Sequence, residues 1–258
     1  MFKLRSWINK DLLESTLSAN PRAIQMLTQN PDKIDWYYLS FNTEAIQLFE
    51  ANPDKIQSCL YCLSENPAAI HLLEANTEKE WVALSANPAA IHLLEQNPEK
   101  IDWSNLAVNP AAIPLLTQNQ DMIDWCNLSE NPAAIRLLTQ NPENIDWYNL
   151  SLIPEAIDLL EANPDKIYWD FLSRNPAALH LLEANKDKID WDWLSSNPAA
   201  IHLLEANQDK IDWFNLSRNP EIFEYDYKAM KEKTSVFTEE LLATVYHPDN
   251  FSKIREWI

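Results

Sequence analysis

The sequence predicts an all-α solenoid of about nine 22-residue two-helix repeats, with a cap at each end. Three observations carry that prediction. An Asn-Pro step recurs at Asn20, Asn66, Asn87, Asn109, Asn131, Asn175, Asn197 and Asn219, with Asn42-Thr43 and Ile153-Pro154 at the equivalent places. Most of these anchors are 22 residues apart, and a fixed period in this range marks a stacked repeat architecture. Each period also holds two apolar segments too short to be stable as isolated helices, so neighbouring units must cover them.

The stretch from Ser195 to Leu216 shows how one unit works. Asn197 is a good N-cap and Pro198 suits the first helical position, where a missing N–H is no loss. Ala199 to Ala206 are mostly strong helix formers. Ala200, Ile201, Leu203 and Leu204 fall on one apolar face, and His202 and Glu205 point away from it. A second Asn, here Asn207, ends this helix; in most units Pro follows and disfavours helical geometry before it. The next segment, Pro-Asp-Lys in several units, reads as a tight turn. Asp212 then caps a shorter helix beginning at Trp213, with Ile211 placed to pack on Leu216 as a hydrophobic staple.

Along the chain, residues 1–19 look like an incomplete unit: Trp7-Ile8, Leu12-Leu13 and Leu17-Ser18 imitate the second helix without a first, and read as an N-terminal cap. Repeats occupy 20–218. They are least regular near residues 53–86, where one interval is two residues longer than 22 and the next is one residue shorter. Pro114 falls inside a first helix and should weaken its first turn. Residues 219–258 read as C-terminal capping helices, including 238–246 and 249–258. At about 8–10 Å per layer, the whole makes a gently curved body on the order of 80 Å long.

Composition narrows the function. No apolar run reaches the eighteen residues that suggest a membrane span, and residues 1–18 carry too many charges for a secretion signal. Cys59, Cys62 and Cys126 are too few and too irregular for a disulfide framework. A net charge of -19 argues against nucleic acid as the partner. The chain has no glycine at all, so phosphate-cradling loops, dinucleotide fingerprints and nucleophile elbows lack their pivotal residue. No catalytic, cofactor or metal set is expected. His71, His92, His180 and His202 each precede a glutamate by three residues, which reads as an exposed pair on one helix. Cys59-x-x-Cys62 is half a zinc motif without its second half. The repeated tryptophans read as inter-repeat core rather than a stacking ladder. Asn127-Leu128-Ser129 and its equivalents match glycosylation acceptors only as by-products of the repeat.

Positions that vary after each repeat tryptophan are the better candidates for binding. Tyr37, Tyr38, Asn105, Asn127, Tyr148, Asn149, Phe171, Trp193, Phe214 and Asn215 form a candidate partner face, interleaving aromatic and polar groups as protein-recognition surfaces do. Unselected variation at exposed sites predicts the same pattern. An acidic chain suits a basic protein partner met with salt-sensitive kinetics, and self-association stays open.

Asn-Pro-Ala-Ala-Ile-x-Leu-Leu followed by Asn-Pro-x-Lys-Ile-Asp-Trp-x-x-Leu-Ser resembles the Asn-Pro helical repeat proteins of large nucleocytoplasmic DNA viruses. Phe237-Thr238-Glu239-Glu240-Leu241-Leu242 with Tyr246-His247-Pro248-Asp249-Asn250-Phe251 is similar to their closing segment. The resemblance implies a non-enzymatic protein-binding scaffold in the host cytoplasm, or alternatively a structural component of the virion. It brings no catalytic residue.

Overall fold

The computed structural model describes residues 2–232 and 234. Among them, nine two-helix units follow one another from Asn20 to Arg218, as the period predicts. In the first unit the Asn20 side chain accepts the Arg22 N–H, a 3-10 turn over Pro21–Ala23 follows, and the turn runs directly into the helix Ile24–Gln29. Asn30 ends that helix by donating its Nδ2 to the Met26 carbonyl at 2.8 Å. Its backbone stays at φ -135°. Helices commonly stop on a left-handed glycine; this chain has none, and no described residue takes positive φ. A side-chain amide closes the helix instead, and the same bond recurs at Asn52, Asn97, Asn119, Asn141, Asn163, Asn185 and Asn207. After a second 3-10 turn (Pro31–Lys33), the Asp35 carboxylate accepts the N–H groups of Tyr37 and Tyr38 and starts the short helix Trp36–Leu39.

The core is a set of leucine and alanine columns. Ala23, Leu27 and Leu39, with their counterparts in later units, are almost completely buried. The tryptophans correct one expectation: they pack against this core but stay partly exposed at its edge. Two are roofed by lysines of the following unit, Lys188 Nζ lying 4.2 Å from the Trp169 ring and Lys210 Nζ 4.3 Å from that of Trp191.

Units are tied together by a buried amide ladder. Asn42 Nδ2 donates to the carbonyls of Ser18 and Asn20, and Asn109, Asn131, Asn175, Asn197 and Asn219 repeat that pair of bonds one unit further on each time. A serine two residues before most anchors accepts a backbone N–H from the start of the next short helix, as in Asp146 N–H to Ser129 Oγ at 2.9 Å; Ala107 stands at this place before Asn109. Ile153, which has no donor, is the one gap among the anchors.

The same bonds join the two ends. Asn20 Nδ2 donates to the carbonyls of Ser217 and Asn219, at 3.1 and 3.0 Å. The Glu14 N–H donates to Ser217 Oγ. Strand β1 (Phe2–Leu4) pairs antiparallel with β2 (Phe223–Tyr225), and Arg22 bridges to Glu221 at 2.7 Å. The solenoid is therefore a closed ring, not the extended 80 Å body that stacking alone suggested. The half-unit at each end is not a separate cap. The turn at Pro220–Ile222 supplies the first part of a tenth unit, and the 3-10 turn at Ser15–Ala19 supplies its second helix. Ten positions close a circle at a mean of about 36° per step. At about 8–10 Å per layer, that circle is roughly 25–30 Å across at the helix centres. Residues 219–225 are a turn and a strand rather than capping helices; 227–232 are helical. The helices expected at 238–246 and 249–258, with the closing segment behind the resemblance, lie outside the described residues.

Other local expectations resolve simply. The region 53–86 is the irregular one: an extra 3-10 turn appears at Gln57–Cys59, and Asn66 makes only the bond to Ser40. Pro114 disturbs nothing. The 3-10 turn ends at Ala112 and the α-helix begins at Ile113, so proline sits in the first turn, where an N–H is dispensable. The histidines pair across units rather than along one helix: His71 with Glu50, His92 with Glu74, His180 with Glu161 and His202 with Glu183, all at exposed positions. Ring packing brings neighbouring first helices close enough for this.

Candidate functional site

Rotation about one axis relates the units, so equivalent positions form circles of constant radius and height. The first position after each tryptophan, or after Leu60 where that residue replaces it, is an exposed circle that includes Tyr37, Tyr61, Val82, Tyr148 and Phe214, of which Tyr37 is 57% exposed. The second position divides into two arcs. Asn127 and Asn149 donate to the carbonyls of Ser104 and Cys126 in the preceding unit, and Asn105 donates to its own cap, Asp102. Asn149 is only 8% exposed. Those asparagines, read from sequence as part of a partner face, are mainly structural rungs. Thr16 continues the rung across the closure by donating to the Phe214 carbonyl at 2.8 Å. At Asn215, the backbone N–H binds the Asp212 cap and the residue is half-buried.

In the other arc the same position carries Phe171, Trp193 and Tyr38, and the predicted aromatic residues do come together. Tyr148 and Phe171 have ring centroids 3.7 Å apart, and Phe171 and Trp193 are 5.9 Å apart. Tyr38 meets Phe214 edge-on at 6.2 Å across the closure, where Thr16 is too small to separate them. Tyr168, which occupies an aspartate cap position, joins Tyr148 at 5.5 Å.

The fifth position after the tryptophan was not singled out from sequence. It places Phe41, Glu65, Glu130, Arg174 and Arg218 on one circle. A cavity of about 530 Å³ is lined by Ala19, Tyr37, Tyr38, Phe41, Arg174 and Arg218. Arg174 and Phe41 are four steps apart around the ring, so side chains sharing one cavity there must face the axis. The Arg218 guanidinium lies 5.3 Å from both the Tyr38 and the Phe214 rings, and that of Arg174 lies 5.6 Å from Trp193. Burial, and then the neighbouring positive charge of Arg218, lower the pKa of Arg174. On the same circle, burial raises the carboxyl pKa of Glu65, and burial followed by Asp146 raises that of Glu130. The signal that could have found this site is the replacement of Ala, Val or Leu by Arg at one repeat position in two nearby units.

Among the described residues no group of histidine, cysteine, aspartate or glutamate has the proximity to hold a metal ion. Cys59 and Cys62 are buried free thiols, and burial pushes the Cys62 thiol up. No described helix is long and apolar enough to cross a membrane. Comparison with family models, with curated proteins and with solved structures finds no match to this chain.

Proposed function

We propose that the protein is a non-enzymatic binding ring that holds a protein partner on the face carrying the aromatic residues. The observation behind this reading is the exposed circle of Tyr37, Tyr61, Tyr148 and Phe214, joined by Tyr168. Large side chains exposed together mark interaction surfaces, and tyrosine is enriched in such contacts because one end is apolar and the other wet. Closure sharpens the reading: a ring offers one flat annular face instead of a long concave groove. With a net charge of -19, the ring suits a basic partner, drawn in by long-range attraction that salt weakens. The host cytoplasm of a large DNA virus, suggested by the resemblance of the repeat, is the setting we propose.

The test is affinity capture of the tagged protein from its source cell at low and moderate salt, beside a Tyr37→Ala/Tyr148→Ala variant. A dominant basic prey, weakened by salt and lost with the variant, is the expected result. Equal capture by both forms would remove the aromatic face from the account. Coat proteins recovered independently of salt and of the variant would replace the proposal with a structural role in the particle.

A further inference from the structure

Closure leaves a gap at the seam. The second helix of the tenth unit comes from the N-terminal segment, which brings small residues, Thr16 and Ala19, where the following unit carries Tyr38 and Phe41 and the preceding one Asn215 and Arg218. The space they leave is the cavity of about 530 Å³, within the range of pockets that enclose a small ligand (roughly 300–1,000 Å³).

Its charged lining is unusual for this molecule. The chain has 39 acidic residues against 20 basic ones, and the seam's other arginines are paired, Arg5 and Arg22 with Glu221. Arg174 and Arg218 have no carboxylate partner among the described residues, and Arg218 Nε is buried without a hydrogen-bond partner. Two like charges facing one cavity repel each other, and this repulsion adds to burial, the larger cause, in lowering the pKa of Arg174. Aromatic rings hold both guanidinium groups, which reduces the rotamer freedom lost when an anion binds.

We infer that the seam cavity is a binding site for a small phosphate monoester that carries an aromatic ring, the phosphate held by Arg174 and Arg218 and the ring packed against Tyr37, Tyr38 and Phe41. Two guanidinium groups match the charge of a monoester, about -1.5 to -2 at neutral pH, better than that of a single carboxylate. Their planar forks suit phosphate oxygens. The aromatic wall supplies the stacking surface for a planar body. The protein's overall negative charge opposes the approach only weakly, because exposed charges beyond about 8 Å are screened at physiological salt. This site shares Tyr37 with the proposed protein-binding face, but its test, through Arg174, stands or falls without that role.

The test is calorimetric titration of the full chain with phenyl phosphate, adenosine monophosphate and inorganic phosphate, repeated with Arg174→Met. At least one aromatic phosphate should bind with a dissociation constant below about 1 mM and about tenfold more tightly than inorganic phosphate. Arg174→Met should weaken that binding about tenfold or more while its urea midpoint stays at or above the wild-type value, because the substitution relieves repulsion. No binding of either aromatic phosphate at about 5 mM overturns the proposal. So does an affinity equal to that of inorganic phosphate, or one that Arg174→Met leaves unchanged. A midpoint that falls with the affinity would assign Arg174 to the fold, and would also overturn it.

Discussion

Asn20 donates through Nδ2 to the carbonyl of Asn219 at 3.0 Å, the bond most anchors make to the anchor before them, here made between residues 199 positions apart. The ring thus closes in register with its own repeat, and the seam is held by hydrogen bonds of the same kind as those at the other interfaces. It carries extra ones in addition, the two-stranded pairing of Phe2–Leu4 with Phe223–Tyr225 among them.

Asn20→Ala should therefore cost as much as the same change inside the ring. Each variant loses an N-cap, about 0.5–2 kcal/mol, and leaves buried carbonyls short of a donor, about 1–3 kcal/mol. Urea denaturation of Asn20→Ala beside Asn131→Ala checks this. A negligible loss at Asn20 with a large one at Asn131 would mean that the ends do not meet.

Ile153 interrupts the ladder, and Ile153→Asn should restore it. Three regained hydrogen bonds at about 1 kcal/mol each outweigh about 2 kcal/mol of lost apolar burial. The expected net gain is about 1 kcal/mol, read as a higher urea midpoint with an unchanged slope. A lower midpoint would show that this interface has been rebuilt around the isoleucine.

Leucine, rather than tryptophan, should dominate the core energetics. Leu128 is fully buried while Trp125 is only packed at the edge. Leu128→Ala should cost about 3–5 kcal/mol through transfer and cavity formation, and Trp125→Ala about 2–3 kcal/mol, reduced by the exposure that remains. His92→Ala breaks an exposed pair with Glu74 and should cost under about 1 kcal/mol. Chemical denaturation of the three variants orders them; tryptophan above leucine would reverse the assignment.

Glu130 should make stability depend on pH in a particular sense. Burial, and then the charge of Asp146, raise its folded-state pKa. Ionised Glu130 therefore weighs against the folded state above that raised value. The penalty fades as pH falls through it, and vanishes below the unfolded value of about 4.3. Glu130→Gln should be more stable than wild type at neutral pH and lose the advantage near pH 4. Parallel stability curves for the two proteins across that interval would contradict the raised pKa of this exposed carboxyl.

Much of this architecture is legible in the chain. The Asn-Pro step, the Asp caps and the nine repeats appear because each is a local choice: a side chain within three residues of the backbone group it satisfies. Closure is not local. It depends on the turn per unit, set by how side chains of different size fill the inner and outer edges of every interface, and no single residue encodes that angle. A clue was nevertheless present, since residues 10–19 supply a second helix without a first, and Asn219-Pro220 starts a first helix without a second. The candidate face was half legible. Tyr148, Phe171 and Trp193 make one run of ring contacts and Tyr38 and Phe214 another, whereas the amides of Asn127 and Asn149 look available in sequence and are committed to carbonyls one unit away. Arg174 and Arg218 went unremarked because 44 residues separate them, and only the curvature brings them to one cavity.

A straight stack of repeats can gain or lose a copy at little cost, since every internal interface stays as it was. A closed one cannot. An eleventh unit would require every step to turn by about 33° instead of 36°, and a ninth position in place of the tenth about 40°, so all interfaces would have to repack together. Duplication or deletion of a single repeat, the ordinary way such genes change length, is thereby penalised throughout the circle at once. The number of repeats in this protein is held by geometry.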